Sequence, residues 1–175
     1  MPCLMLLRHA KSDRPSGTDD IDRPLSERGR RDAAAIGRVM AERGLQPETV
    51  ICSPSARTRE TLDLVLPRLA PVDDVRLVNE LYEADEATLL ALLRLEGADT
   101  GSLLVVGHNP SIEQAALALA ASAATDADLE AMAGKYPTAA LAVLDFDGAW
   151  ADLRPGGAVL SAFIRPRDLA GHGTL

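Results

Sequence analysis

The chain has 175 residues, enough for one domain with a sizeable core, and its 47% apolar and 25% charged residues are those of a globular protein rather than a disordered or fibrous one. With 18 Lys/Arg against 26 Asp/Glu the net charge is −8, which argues against generic nucleic-acid binding, and no apolar stretch reads as a membrane span. The opening Met1-Pro2-Cys3 lacks the basic-then-apolar layout of a secretory leader, so a cytoplasmic location without a membrane partner is expected.

Leu4, Met5, Leu6 and Leu7 form an apolar run that predicts a buried strand over Cys3–Arg8, delivering Arg8 and His9 to its end. A polar loop follows from Lys11 to Pro24. Ser26 is a suitable N-cap, and Ala33, Ile36, Val39 and Met40 make the apolar stripe of a helix that Gly44 stops. Thr49–Ser53 reads as a short strand, and Ser53-Pro54 as the cap and first turn of a helix carrying Leu62, Val65, Leu66 and Leu69. Arg76–Val78 predicts a brief third strand and Ala87–Leu95 a helix. Leu103–Val106 is the clearest central strand. It ends at Gly107-His108, and Asn109-Pro110 opens a helix with Ile112, Ala116 and Leu119. A short helix over Asp126–Ala133 and two late strands, Ala139–Phe146 and Ala158–Ile164, complete the set.

Strands alternating with helices predict an α/β fold, a single three-layer α/β/α domain around a mostly parallel sheet, over residues 1–167. Residues 168–175 read as a loose tail, and His172, between two glycines, as incidental. Cys3 and Cys52 fall in strand-like runs and are expected to be buried free thiols, and no Cys/His spacing suggests a zinc site. Charge is uneven: residues 1–70 hold 12 Lys/Arg against 10 Asp/Glu, the remainder 6 against 16. Cations kept near the N-terminal motifs suit an anionic ligand, although the stretch Arg28–Arg43 reads as the wet face of a helix.

In open α/β sheets, ligands bind at the carboxyl ends of the strands. His9 and His108 fall at strand ends, Arg8 beside the first, and Arg57 in the first turn of a helix that follows a strand. Gathered in one pocket, two guanidiniums and two imidazoles suit a phosphoryl group: arginine grips its oxygens bidentately, and a neutral imidazole can attack phosphorus. Each residue also has an ordinary structural reading, a strand-end histidine or a helix-surface arginine beside Arg59 and Arg68.

The motifs around these residues are more specific. Leu7-Arg8-His9-Ala10-Lys11-Ser12, Pro24-Leu25-Ser26-Glu27-Arg28-Gly29, Ser53-Pro54-Ser55-Ala56-Arg57-Thr58-Arg59-Glu60-Thr61 and Gly107-His108-Asn109-Pro110 stand in the order found in the histidine phosphatase superfamily, which includes the phosphoglycerate mutases. The chain resembles that superfamily from residue 4 to about residue 120, and its short length and Arg-His-Ala-Lys-Ser opening are similar to the compact SixA-like branch.

The resemblance implies a phosphoglycerate mutase-like fold and a phosphatase needing no cofactor or metal. His9 is then the phosphorylated nucleophile, with Arg8, Arg57 and His108 as the phosphate pocket. Lys11 and Ser12 extend the rim, Lys11 reading equally as a solvated loop cation. Glu80, near the place of the mutase-like general acid, reads either as that acid or as a loop-ordering carboxylate. Ala10 stands where Gly is commoner, which a methyl group tolerates only at negative φ. The partner implied is phosphohistidine on a signalling protein. Alternatives are a small phosphate ester, a mutase-like phosphotransferase, or a non-catalytic phosphate-binding module. Oligomeric state leaves no mark in the sequence.

Overall fold

A computed structural model describes residues 1–169, which leaves His172 and most of the expected tail outside the described residues. Seven strands, β1 (Cys3–Arg8), β2 (Thr49–Cys52), β3 (Asp74–Leu77), β4 (Ser102–Gly107), β5 (Ala120–Ala123), β6 (Leu141–Phe146) and β7 (Ala158–Ile164), make one sheet in the order β3-β2-β4-β1-β6-β7-β5. Pairs β2–β3, β2–β4, β1–β4 and β5–β7 are parallel, while β6 runs antiparallel to both β1 and β7.

The period of two along β1 sorts its side chains between two cores. Met5 and Leu7 face one layer, where Ala33, Ile36 and Met40 of α1 (Glu27–Glu42) meet Leu62 and Val65 of α2 (Ala56–Val65). Leu4 and Leu6 face the other, with Leu89, Leu90 and Leu93 of α3 (Glu86–Glu96), Ile112, Ala115, Ala116 and Leu119 of α4 (Ser111–Leu119) and Met132 of α5 (Asp126–Gly134). Burial on both faces is why Leu4–Leu7 reads as an unbroken apolar run. The phenol of Tyr136, buried on this second side, bridges β1 and β6: its Oη donates to the Leu6 carbonyl at 2.6 Å and accepts from the Ala142 N–H at 3.1 Å. Cys52 is buried, Cys3 half-buried, and both are free thiols pushed up to about 12, chiefly by burial.

The structure corrects several boundaries. Ser55, not Ser53, caps α2, accepting from the Thr58 N–H, so the helix begins two residues later. The strand expected from Ala139 begins at Leu141, because Ala139 takes a left-handed φ of 59° that breaks the extended run. Strand β5 lies in the Ala-rich stretch after α4, where side chains carry no strand preference and pairing with β7 decides. At the other end, Asp168 and Leu169 belong to a short helix, α6 (Pro166–Leu169), which packs on α1 and is fastened by Arg165–Asp168 at 2.6 Å.

The Pro24–Gly29 motif has a steric reason. Ser26 caps α1, its Oγ accepting from the Gly29 N–H at 3.0 Å and donating to the Lys11 carbonyl at 3.1 Å. A Cβ on Gly29 would stand 2.0 Å from that same carbonyl oxygen, so only glycine lets α1 rest on the segment leaving the first histidine. Gly29→Ala is expected to lower Tm by roughly 5–10 °C and to disturb Lys11 and Ser12. An unchanged transition in differential scanning calorimetry would refute this packing.

Candidate active site

Strands β2, β4 and β1 are parallel neighbours, so their carboxyl ends open on one side of the molecule. Strand β1 ends in Arg8 and His9, β4 in His108, and β2 leads through Ser53 into α2, whose first turn holds Arg57. The His9 main chain is tied from three directions. Its N–H donates to the Gly107 carbonyl at 3.0 Å, its carbonyl accepts from Ala139 at 3.1 Å, and the next N–H, of Ala10, donates to Thr61 Oγ1 at 3.0 Å. Ala10 is buried and its φ is not positive, so the methyl group in place of glycine is accommodated.

The side chains converge on a cleft of about 200 Å3 lined by Arg8, His9, Arg57, His108, Lys11 and Ser12, together with Arg23, Asn109 and Thr138. The His9 and His108 ring centroids are 5.3 Å apart. His9 Nδ1 lies 2.7 Å from the Ala10 carbonyl oxygen, which can only accept, so Nδ1 carries the proton and Nε2 keeps its lone pair. His108 Nε2 lies 2.8 Å from Ser53 Oγ, which gives the serine displaced from its expected capping role a positioning one. Arg8 donates through Nη1 to the Tyr136 carbonyl at 2.8 Å. Its Nε and His108 Nδ1 are buried without a hydrogen-bond partner among the described residues. Arg8 Nε is a donor in any state, and His108 Nδ1 becomes one when it carries a proton; buried donors of this kind are the groups that an oxyanion would satisfy.

The site thus joins Arg8, His9, Arg57, His108, Lys11 and Ser12. Glu80 is not among them: it is exposed on the turn Asn79–Leu81 after β3 and does not line the cleft. Sequence reasoning missed Asp20, Arg23 and Tyr82. Asp20 binds buried Arg57, taking Nη1 on its carbonyl at 2.6 Å and Nη2 on Oδ2 at 3.1 Å. It also accepts from Tyr82 Oη at 2.7 Å and from Arg23 Nη1 at 3.1 Å. These bonds, Tyr82 first, hold the Asp20 carboxyl well below the usual carboxylate range, so it is ionised and has no proton to give. Arg23 also donates to Ser12 Oγ at 2.8 Å, which fixes the rim.

Burial is the main reason both histidines are pushed down, His9 to about 3 and His108 to about 4, with the guanidiniums of Arg57 and Arg8 adding to it. Both rings are therefore neutral at pH 7. An unfolded histidine takes its proton near pH 6.5, so between about pH 6.5 and pH 3 the unfolded chain binds more protons than the folded one. Stability from these two groups is complete above pH 6.5 and is lost as pH falls through that window. An oxyanion in the cleft favours the charged rings and opposes the loss. Tm is expected to drop steeply from pH 6.5 to pH 4, less so with inorganic phosphate present. A profile no steeper than that of the double variant His9→Asn/His108→Asn would refute this.

Fold and site together define an α/β domain in which a neutral imidazole nitrogen lies in a cleft with three arginines, an arrangement suited to a tetrahedral oxyanion. The chain belongs to the histidine phosphatase superfamily: the family model for its branch 1 matches residues 4–89. An uncharacterised protein of Mycobacterium tuberculosis is 38% identical over 163 residues, which cover 92% of this chain and all of that one. The SixA structure from Nakamurella multipartitia superposes with a TM-score of 0.78 at 34% identity, covering 94% of this chain and 96% of the other. The protein histidine phosphatase SixA in complex with tungstate shares the fold, with a TM-score of 0.74 at 21% identity and coverage of 95% and 99%. Among the described residues, no group of three or more His, Cys, Asp or Glu side chains is gathered as a metal site would require, and no helix is long and apolar enough to cross a membrane.

Proposed function

We propose that the protein is a metal-independent phosphatase of the cytoplasm that removes phosphate from phosphohistidine on a signalling protein, through a covalent intermediate on His9. The observation that carries this reading is the composition of the cleft. Three arginines, a lysine and two imidazoles line it, and no carboxyl group does. An alcohol leaving from a phosphate ester needs a proton from an acid. The imidazole of a phosphohistidine leaves without one supplied by the enzyme, because it can be protonated on its other ring nitrogen beforehand. Glu80 lies outside the cleft and Asp20 is ionised.

In the first step the lone pair on His9 Nε2 attacks phosphorus, the substrate P–N bond breaks, and the bonding pair returns to the protonated substrate imidazole. Arg8 and Arg57 hold the equatorial oxygens while charge shifts, and His108 adds a donor. In the second step water attacks phosphorus, the bond to His9 Nε2 breaks with its electron pair returning to that nitrogen, and both water protons leave on the product as dihydrogen phosphate, so His9 is again the neutral Nδ1–H imidazole. SixA, whose fold this chain shares, is a protein histidine phosphatase, which supports the choice of substrate.

The test is phosphate release from a phosphohistidine-bearing phosphotransfer domain, comparing the wild type with His9→Ala, without added metal or bisphosphate. Release by the wild type alone is expected. Inertness toward the domain, together with turnover of p-nitrophenyl phosphate, would replace the protein substrate with a small ester. Phosphate exchange without net release would make the protein a phosphotransferase.

A further inference from the structure

Next to the cleft lies a second pocket of about 170 Å3, which shares Thr138 with it. Four cations line this pocket, Arg28, Lys135, Arg165 and Arg167, against one carboxylate, Asp32. They arrive from three separate segments: the first turn of α1, the turn after α5, and the start of α6 with the residue before it. Such a gathering runs against the charge of a chain that carries −8 overall. Its ion pairs are loose or shared. Arg28 meets Asp32 at 3.5 Å, and Arg165 and Arg167 both turn to Asp168, at 2.6 and 3.8 Å. Lys135 pairs with no carboxylate among the described residues. Arg28, which on sequence reads as the wet face of a helix, thus borders a pocket.

The topology sets this pocket on one flank of the site. Thr138 precedes β6 and Arg57 follows β2, so the two lie on opposite sides of the β4–β1 pair that carries the histidines. The flank at Thr138 is cationic, while on the Arg57 side Asp20 is paired with Arg14, Arg23 and Arg57, so charges of both signs are mixed there. A partner pressed over the cleft therefore meets an excess of positive charge on the Thr138 side alone, which favours one orientation.

We propose that the Thr138-side pocket is a second anion site, which receives a carboxylate that the phosphorylated protein carries beside its phosphohistidine. The inference rests on the protein-phosphohistidine reading given above. A protein is the fitting source of that carboxylate because two of the cations, Arg28 and Arg167, have side chains 72% and 67% exposed. Cations so placed meet a broad surface laid across the rim more readily than a small molecule held inside the cleft.

The experiment is phosphate release from a phosphohistidine-bearing phosphotransfer domain and from free phosphohistidine, at low and at physiological salt. The wild type is compared with the triple variant Arg28→Gln/Lys135→Gln/Arg167→Gln. Arg165 is kept, because its side chain is only 18% exposed and its pair with Asp168 fastens α6. For the variant, kcat/KM on the domain is expected to fall about tenfold, mostly through KM and with a flatter salt dependence, while free phosphohistidine is hydrolysed as by the wild type. An unchanged rate on the domain overturns the proposal. Equal losses on both substrates also overturn it, and assign the charges to the field of the cleft itself. A wild type that is inert on the domain but active on free phosphohistidine overturns the protein-substrate reading and this proposal with it, so the two failures are told apart by the wild type alone.

Discussion

His9→Ala is expected to cut phosphate release by at least about a thousandfold while leaving the thermal unfolding transition within a few degrees of wild type. The two effects separate because the histidine's contributions separate. Its main chain is anchored by Gly107, Ala139 and the neighbouring Ala10–Thr61 bond, all of which survive the substitution. Its side chain makes one hydrogen bond, to the adjacent Ala10 carbonyl, and is partly exposed in the cleft. Truncation therefore removes the Nε2 lone pair and little else. An acid-labile, base-stable label from a phosphoryl donor should appear on the wild type and not on the variant. Wild-type turnover by His9→Ala would end the covalent mechanism.

Arg57→Ala is expected to lower kcat by about a hundredfold to a thousandfold and to raise KM as well, because a guanidinium that grips the phosphoryl group acts on both ground and transition states. Lysine should restore little of this, since one ammonium cannot span two oxygens. Asp20→Asn should act in the opposite direction on binding. The Asp20 carboxylate and carbonyl occupy both Nη atoms of Arg57, so an entering phosphoryl group competes with them. Neutralising the carboxylate is expected to tighten inhibition by inorganic phosphate several-fold, roughly the worth of a partly exposed ion pair. Weaker inhibition would show instead that Asp20 aims Arg57.

Strand β1, the centre of β4 and the cap of α1 could be read directly from sequence, because each rests on a local cause: an apolar run buried on both faces, or a serine whose hydroxyl accepts from the N–H three residues on. The four ordered motifs brought out Arg8, His9, Arg57 and His108 for the same reason. Other features depend on contacts that a local pattern does not carry. Ser53-Pro54-Ser55 offers two serines, and it is the contact with His108, 55 residues away, that draws Ser53 from the cap. Asp20 sits in a polar loop without periodicity and matters through distant partners, Arg57, 37 residues on, and Tyr82, 62 residues on. Lys135 and Arg165 look like ordinary surface cations until the fold sets them beside Arg28. Glu80 was placed by a motif of the neighbouring family branch, and the exposed turn after β3 leaves it outside the cleft.

The position of β1 as the fourth of seven strands has a bearing on dynamics. Its amides are covered by β4 and β6, so they should exchange with deuterium only when the whole domain opens, at the slow extreme of the molecule. The loop from Lys11 to Pro24, mostly exposed and held by side-chain bonds and scattered turn-type backbone bonds rather than a continuous ladder, should exchange orders of magnitude faster. Release of Asp20 from Arg57 is then expected to need only a local opening of this loop, leaving the strand that carries the nucleophile closed. The two halves of the site, one fixed and one yielding, belong to different cooperative units of the same fold.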